Sequence, residues 1–143
     1  MGLLLDDIES DVVRLTISVR LRAPDGWSDP RKALIDPGAP YCLLPLSLWS
    51  TAEHRVLSRR DLSVAGIGSG TAAARYGLVT LVVEDGSVAS PPLRVRAFLL
   101  EDDSEPLLLG FEDFLTHAIL HSDYPRRIAY LEFPVGEGRT TCA

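Results

Sequence analysis

Apolar and polar side chains alternate along several short segments of the chain. The clearest case is residues 12–22, where the alternation is strict from Arg14 onward. One face of this segment carries arginine, threonine and serine, and the other carries only aliphatic side chains, namely Leu15, Ile17, Val19 and Leu21. Because successive side chains of a strand point to opposite faces, the pattern predicts a β-strand with one face in the core.

Six more segments are predicted to be extended, because they are rich in aliphatic or β-branched residues and end at Gly, Pro, Asp or Ser. They are residues 32–36, 61–65, 71–83, 93–100, 106–109 and 127–133. The first of them is expected to pair with the preceding strand as a hairpin. Turn signals recur about every ten residues, which is typical of a β domain built from short strands.

Only two segments favour a helix, and both are short. They are residues 46–54 and residues 112–119, the second with Phe114, Leu115 and Ala118 expected to face inward. Many short strands and so few helices predict a mainly β fold, either a small barrel or a sandwich.

Length and composition fit one soluble globular domain. The chain has 143 residues, of which 46% are hydrophobic and 24% charged, and this is enough to bury a core without disulfides. We expect a single domain over residues 1–134, followed by a polar tail over residues 135–143 that is mobile.

Charge and targeting signals narrow the classes of partner. The net charge is −6 and no long basic run occurs, so neither nucleic acid nor a membrane surface is expected as a partner. No apolar run approaches the roughly 18 residues of a membrane span, and the N-terminus lacks the basic region of a signal peptide. The cysteines Cys42 and Cys142 have no metal-ligand or disulfide-framework spacing. A reduced, cytoplasmic protein is therefore predicted.

An acidic residue interrupts the most apolar part of the chain. Residues 33–40 read ALIDPGAP, so an apolar run ends on Asp36, the backbone turns at Pro37-Gly38, and leucines follow at positions 43 and 44. A carboxylate between buried flanks is costly unless it is hydrogen-bonded or used in chemistry. Two interpretations are open at this point, because an Asp before Pro-Gly is also an ordinary turn residue.

A glycine-rich segment, Gly66-Ile67-Gly68-Ser69-Gly70, lies between two predicted strands. It has no following lysine or helix, so it matches neither phosphate-binding loops nor dinucleotide-binding turns. Glycines between two extended segments favour a hairpin tip, either one whose backbone approaches a ligand or a simple flexible turn.

Other chemistry has weaker support. Asp113, His117 and His121 are spaced by four and would form one stripe on a continuous helix, as a divalent metal requires. The helix is expected to end near residue 119, so histidines at a partly exposed helix end are the preferred interpretation. No G-x-S-x-G motif occurs, and Cys42 lies in an apolar run that predicts an inert thiol. We expect no metal and no cofactor.

Three segments, in order, resemble those of one enzyme family. Residues 33–39, ALIDPGA, resemble the ALIDTGA active-site turn of retropepsin-like aspartic proteases. Residues 64–76, VAGIGSGTAAARY, are similar to the glycine-tipped flap of that family, and residues 107–115, LLLGFEDFL, are similar to its apolar-apolar-Gly segment and the helix that follows. The resemblance implies a small closed barrel of the retropepsin-like acid protease type with one or two short helices.

The family chemistry implies a role for each matched residue. Aspartic proteolysis needs two carboxylates that share a proton, and a chain of this length resembles a single lobe, so the resemblance implies a homodimer that cleaves peptides or proteins. The implied catalytic residue is Asp36, in an active-site turn completed by Pro37, Gly38 and Ala39, with Gly38 donating its N–H to the carboxylate. The implied flap residues are Gly66, Ile67 and Gly68, and Leu109 and Gly110 are implied to be structural residues near the site.

This sequence departs from the family pattern at the turn. Pro37 stands where the family has Thr or Ser, so a hydroxyl and an N–H that bond across the dimer are both lost. Pro40 and Phe111 replace the two members of an acid–arginine pair of the retroviral enzymes. Two alternatives therefore stay open: a silent module that binds extended peptides or mediates dimerisation without cleavage, and an unrelated, monomeric β-barrel whose Asp36 is a structural turn residue.

Overall fold

The computed structural model describes residues 2–4, 15–58, 62–65 and 71–134. Twelve strands occur in these ranges: β1 (Gly2–Leu4), β2 (Leu15–Ala23), β3 (Gly26–Trp27), β4 (Arg31–Ile35), β5 (Cys42–Leu44), β6 (His54–Val56), β7 (Leu62–Ala65), β8 (Thr71–Glu84), β9 (Leu93–Leu100), β10 (Leu108–Leu109), β11 (Ile119–Asp123) and β12 (Ile128–Glu132). The described helices are α1 (Leu46–Trp49) and a 3₁₀ turn (Leu115–His117). The mainly β prediction is confirmed. The predicted tail, residues 135–143, lies outside the described residues.

Six strands close into a barrel. Their order around the ring is β2, β4, β10, β5, β9 and β8, and the pairing of β8 with β2 completes it. The predicted hairpin between β2 and β4 is confirmed, with Leu15 opposite Ile35 and Val19 opposite Arg31. The short strand β10 is parallel to β4 and antiparallel to β5. Between the barrel and the sandwich that the sequence allowed, the fold is the closed barrel.

The barrel interior is filled by the side chains that the alternation predicted. Ile17, Val19 and Leu21 are at most 2% exposed, whereas Leu15, where β2 begins, is only half-buried. The largest fully buried side chains of the main core are those of Leu21, Leu44, Leu81, Leu93, Leu99, Leu109 and Val19 on barrel strands, together with Phe114 and Leu131 from outside the barrel. Burial of this apolar set is the main stabilising contribution to the fold.

A second apolar cluster lies on the outer side of the barrel wall. Leu43 belongs to it, whereas its neighbours Cys42 and Leu44 belong to the interior core. Since successive side chains of a strand point to opposite faces, Leu43 is directed outward. We call this set the outer cluster; its members are Leu43, Ala74, Leu100 and Leu108, with Ala39 and Phe98 packed against them.

Both predicted helices are shorter than expected. Helix α1 ends at Trp49, and His54 instead begins β6, where it lies opposite Val79 of β8. In the second segment only Leu115–His117 is helical, because Asp113 has a φ of 64° that a right-handed helix does not allow. Isolated helices of this length are marginal, so strand pairing prevails. Phe114 and Leu115 face inward as predicted, and Ala118, although extended rather than helical, is half-buried and packs against the core.

Three strands form a separate small sheet in the order β1, β12, β11. The strand β11 was not predicted, since the helix was expected to extend to residue 119. It pairs along its whole length with β12, from Ile119 opposite Glu132 to Asp123 opposite Ile128. Within the described part of the chain, no helix is long and apolar enough to cross a membrane.

Candidate functional site

Asp36 directly follows strand β4, and the backbone fixes it on both sides. Its N–H donates to the carbonyl of Leu109 at 3.0 Å, and its carbonyl accepts the N–H of Ala39 at 3.1 Å. Its side-chain Oδ1 accepts the N–H of Gly38 at 2.9 Å, which is the contact that the resemblance implied. These three bonds orient the carboxylate, and they would serve either a structural turn or a catalytic acid.

The turn is open to its surroundings. Ile35 is buried, but Asp36 itself is only half-buried, and Pro37, Gly38 and Pro40 are exposed. The burial expected around Asp36 is therefore found at Ile35 before it, whereas the carboxylate itself stays partly accessible. An oriented but accessible carboxylate can meet a substrate or a second copy of the chain.

Proline and glycine each suit this turn locally. The bond from the Ala39 N–H to the Asp36 carbonyl closes a four-residue turn with Pro37 and Gly38 at its centre. Proline is favoured at the first central position because its φ is already set. Gly38 has no positive φ, but a Cβ added there would lie 3.3 Å from Oδ1 of Asp36. Glycine therefore permits a close approach to the carboxylate.

A second segment holds the loop from the other side. The N–H groups of Phe111 and Glu112 donate to the carbonyls of Ala39 and Pro40, each at 2.8 Å. A Cβ added to Gly110 would lie 2.5 Å from the carbonyl oxygen of Tyr41 and 2.7 Å from that of Ala39. Only glycine, which has no Cβ, fits this close to two backbone oxygens. Leu109 and Gly110 therefore lie against the Asp36 loop.

Cys42 is a structural thiol. It is fully buried, and its Sγ accepts the N–H of Gly110 at 3.4 Å. Burial raises the pKa of the Cys42 thiol to about 12, although the hydrogen bond acts in the opposite direction. Because only the thiolate is a nucleophile, the prediction of an inert thiol is confirmed.

The hairpin β7–β8 provides the two strands predicted to flank the glycine-rich segment. Leu62 lies opposite Ala74, and Ala65 lies opposite Thr71. The implied flap residues Gly66, Ile67 and Gly68 lie outside the described residues, so their role stays a prediction. Beyond the hairpin, β8 continues into the barrel wall, where it pairs with β9 and β2.

Three aromatic rings connect the strand β8 to the Asp36 loop. Tyr41, at the end of the loop, makes edge contacts with Tyr76 of β8 at 5.5 Å and with Phe98 of β9 at 5.3 Å between ring centroids. Tyr76 and Phe98 are 5.8 Å apart, and burial raises the pKa of Tyr76. The residues are far apart in sequence, and no local pattern indicated the cluster.

An ion pair ties β9 to the turn that follows Gly110. Nε of Arg96 lies 2.6 Å from Oδ2 of Asp113, and Nη2 lies 3.1 Å from Oδ1. The backbone N–H of Arg96 also donates to Oδ2, at 3.0 Å. Hydrogen bonding from Arg96 lowers the pKa of Asp113. From the sequence, Asp113 was a candidate only as a metal ligand, and Arg96 was not singled out.

Asp113, His117 and His121 do not lie on one continuous helix, so the helical metal stripe does not form. His117 ends the 3₁₀ turn, whereas His121 lies in strand β11, where its Nε2 is 3.1 Å from Oε1 of Glu132 and its ring stacks on Tyr130 at 4.3 Å. Among the described residues no group of three or more His, Cys, Asp or Glu side chains could hold a metal ion.

A half-open cavity of about 310 Å³ lies beside the hairpin arm of β8. Its lining combines apolar side chains with one acid and one base: Leu46, Trp49, Ala74, Arg75, Leu99 and Glu101. Two of these residues, Ala74 and Arg75, lie on β8. The cavity is large enough for one or two amino-acid side chains. Because one acidic and one basic side chain line it, the lining favours neither an anion nor a cation.

No protein-family model matches the chain, and no curated protein matches it.

Proposed function

We propose that the protein is a retropepsin-like aspartic endopeptidase that acts as a homodimer. The observation that carries the proposal is the Asp36 turn, in which an accessible carboxylate is oriented by the Gly38 N–H and supported by the turn after Gly110. The closed barrel supports the same proposal. A cytoplasmic location stays a prediction from the sequence.

In the proposed mechanism Asp36 of each subunit shares one proton with its copy across a two-fold axis. The ionised carboxylate activates a water molecule, and the protonated one donates to the peptide carbonyl. The two groups titrate as a pair, so neither has a pKa of its own. The exposed face of the turn, with Pro37 and Pro40, is the surface through which the two copies would meet.

A second copy is required because the two Asp-Gly turns of the chain, Asp25-Gly26 and Asp85-Gly86, lie in polar loops and do not offer a second acid like Asp36. Asp25 and Gly26 lie at the hairpin between β2 and β3, and Gly26 has a φ of 131°. Asp85 accepts the N–H groups of Ser87 and Val88 within its own turn. Of these three turns, only the Asp36 loop is held by several backbone hydrogen bonds to a distant segment, which come from Asp36, Phe111 and Glu112.

Pro37 favours a second candidate, a catalytically silent module of the same fold. Without a hydroxyl or an N–H at this position, two hydrogen bonds per dimer are lost, each contributing roughly 0.5–1.5 kcal/mol to association. Such a module would bind an extended peptide by strand addition along the β7–β8 arm and would not cleave it. The cavity beside Ala74 and Arg75 is placed to accept a side chain of that peptide.

Digestion of a peptide library separates these functions. Wild type and Asp29→Asn, a control at an exposed aspartate, are expected to cleave, and Asp36→Asn is expected to be inactive. Ala39 offers no extra hydroxyl to stabilise the ionised pair, so a mildly acidic optimum is expected.

Four outcomes would contradict the peptidase. Activity that survives in Asp36→Asn, or a flat rate between about pH 4 and about pH 7, would exclude the paired-carboxylate mechanism. Cleavage by Pro37→Thr alone would identify the natural chain as the silent module. A monomer in sedimentation, with no cleavage by any variant, would favour the unrelated barrel.

A further inference from the structure

We propose that Arg96 and Asp113 are positioning residues, whose ion pair fixes the turn that holds the Asp36 loop in place. The catalytic consequence of this inference rests on the proposed function, whereas its structural part does not. Neither residue is suggested to contact the substrate.

The ion pair has the geometry of a strong tie. Asp113 accepts three hydrogen bonds from Arg96, two from the guanidinium and one from the backbone N–H, at 2.6 to 3.1 Å. Two-point contacts between arginine and a carboxylate restrict orientation as well as distance. The Asp113 side chain is 21% exposed and that of Arg96 is 43% exposed. The ion pair therefore contributes little to stability, and its main effect is to fix the orientation of the turn.

The backbone N–H of Arg96 explains why the carboxylate is needed there. The next residue, Ala97, lies opposite Cys42, the first residue of β5. The ladder between β9 and β5 therefore begins just after Arg96, and Asp113 supplies the acceptor at its end. The carboxylate thus joins the edge of the barrel to the turn after Gly110.

Asp113 adopts a backbone conformation that needs such a tie. Its φ of 64° is in the left-handed region, where aspartate and asparagine are tolerated better than most residues. A conformation of this kind is strained for a residue with a side chain and persists only where the surroundings impose it. The residue after Asp113, Phe114, is fully buried and anchors the backbone in the core. Arg96 holds the Asp113 carboxylate on the other side.

The tie reaches the candidate acid through two sets of backbone hydrogen bonds. Phe111 and Glu112, the two residues before Asp113, donate to the carbonyls of Ala39 and Pro40. Ala39 in turn donates to the carbonyl of Asp36. A rotation of the backbone at Asp113 would therefore move the donors that hold the Asp36 loop, and displacements below 1 Å are enough to slow a reaction between positioned groups.

The experiment compares Asp113→Asn with Glu84→Gln. Asparagine keeps the left-handed preference and one acceptor but loses the charge. Glu84 is the matched control, because it forms a similar ion pair with Arg20 at 2.7 Å between β8 and β2. We expect Asp113→Asn to lower kcat roughly tenfold with little change in KM, and Glu84→Gln to change neither. Arg96→Lys keeps the charge and loses the two-point contact, so its kcat is expected to lie between those of the other two variants. It replaces Asp113→Asn in the experiment if that variant does not fold.

Amide hydrogen exchange tests the structural part without any activity. In Asp113→Asn the N–H groups of Phe111, Glu112 and Ala39 are expected to exchange faster, by roughly tenfold, with no such change in Glu84→Gln. Unchanged exchange at these amides would overturn the inference, and so would faster exchange with an unaltered kcat in an active enzyme. If wild type cleaves nothing, the proposed function fails while the exchange data still decide whether Arg96 and Asp113 hold the loop.

Discussion

Two Asp-containing turns of this protein share the same local chemistry and differ in what surrounds them. In one, Oδ1 of Asp36 accepts the Gly38 N–H at 2.9 Å. In the other, Oδ1 of Asp85 accepts the N–H groups of Ser87 and Val88 at 2.8 and 2.9 Å. An aspartate bonded to the backbone two residues on is common in turns, so this feature does not distinguish a functional acid from a structural one.

The difference lies in support from distant segments. The Asp85 turn is closed by its immediate neighbours, with the isolated bridge between Glu84 and Ala89 beside it. The Asp36 loop is bonded to Leu109, Phe111 and Glu112, which follow it by more than seventy positions. A candidate site is therefore recognised here by non-local hydrogen bonds that fix a carboxylate and leave it accessible.

Replacing the aspartate of each turn should give the largest difference between the two turns. Asp36→Asn is expected to lower peptide cleavage by about 10²–10⁴-fold, because proton transfer by the pair is lost. Asp85→Asn should leave kcat unaltered and cost only about 1 kcal/mol of stability. Kinetics with a cleaved library peptide, together with urea unfolding, measure both. Equal losses of activity in the two variants would remove the distinction between the turns.

Glycine substitutions should separate the turns by stability. Gly110→Ala places a Cβ 2.5 Å from the Tyr41 carbonyl oxygen, and such overpacking costs about 3 kcal/mol or more. Gly86 has a φ of 96° but nothing within 4 Å of an added Cβ, so Gly86→Ala is expected to cost about 1 kcal/mol. Denaturant unfolding gives both values. A Gly110→Ala protein as stable as Gly86→Ala would show that the loop is not tightly supported.

Pro37→Thr should strengthen association of the Asp36 turns without affecting the fold. Two restored hydrogen bonds per dimer, at about 0.5–1.5 kcal/mol each, lower the dissociation constant by roughly 5- to 150-fold. Sedimentation equilibrium measures this change, and Ser87→Thr in the Asp85 turn is the control. No change in the dissociation constant would place the dimer interface elsewhere or exclude a dimer.

The smallest effect concerns pH. The pKa of Asp113 is lowered by its bonds to Arg96, so this carboxylate stabilises the fold above its unfolded pKa near 3.9. The contribution is lost as pH falls through the lower folded pKa. Asp113→Asn should therefore be less stable than wild type at neutral pH, by about 1 kcal/mol or less given the exposure of Arg96. Urea midpoints measured from neutral to strongly acid pH should converge; a constant difference would contradict the argument.

Several features could be predicted from the sequence because they depend on neighbouring residues. The strand β9 has the predicted bounds, Leu93–Leu100, since its alternation is regular and charged turn residues follow it. The turn at Asp36, with Pro37 and Gly38 after it, was also indicated by local residue preferences. The helices failed for the opposite reason: His54 pairs with Val79 of β8 and Ile119 pairs with Glu132 of β12, and a local pattern does not contain these partners.

The candidate site was predicted only in part. Asp36 was singled out by its apolar flanks, and Gly38 and Gly110 by motif similarity; in the structure Gly38 donates to Asp36, and Gly110 packs against the same loop. Arg96 and Asp113 were missed as a pair because they are 17 residues apart and joined by side-chain geometry. The spacing by four had raised a metal stripe only as the less favoured alternative to histidines at a helix end, and both interpretations depended on a helix that does not extend to His121.

By itself, the sequence determined which faces of the strands are apolar and where the chain turns at a carboxylate, because side-chain alternation and the φ preferences of proline and glycine act over a few residues. Only the tertiary structure decided that β2 and β8 close the barrel, that the segment after Gly110 supports the Asp36 loop, and that Arg96 binds Asp113. These contacts join residues far apart in the chain, so they exist only once burial of the common core has brought their strands together.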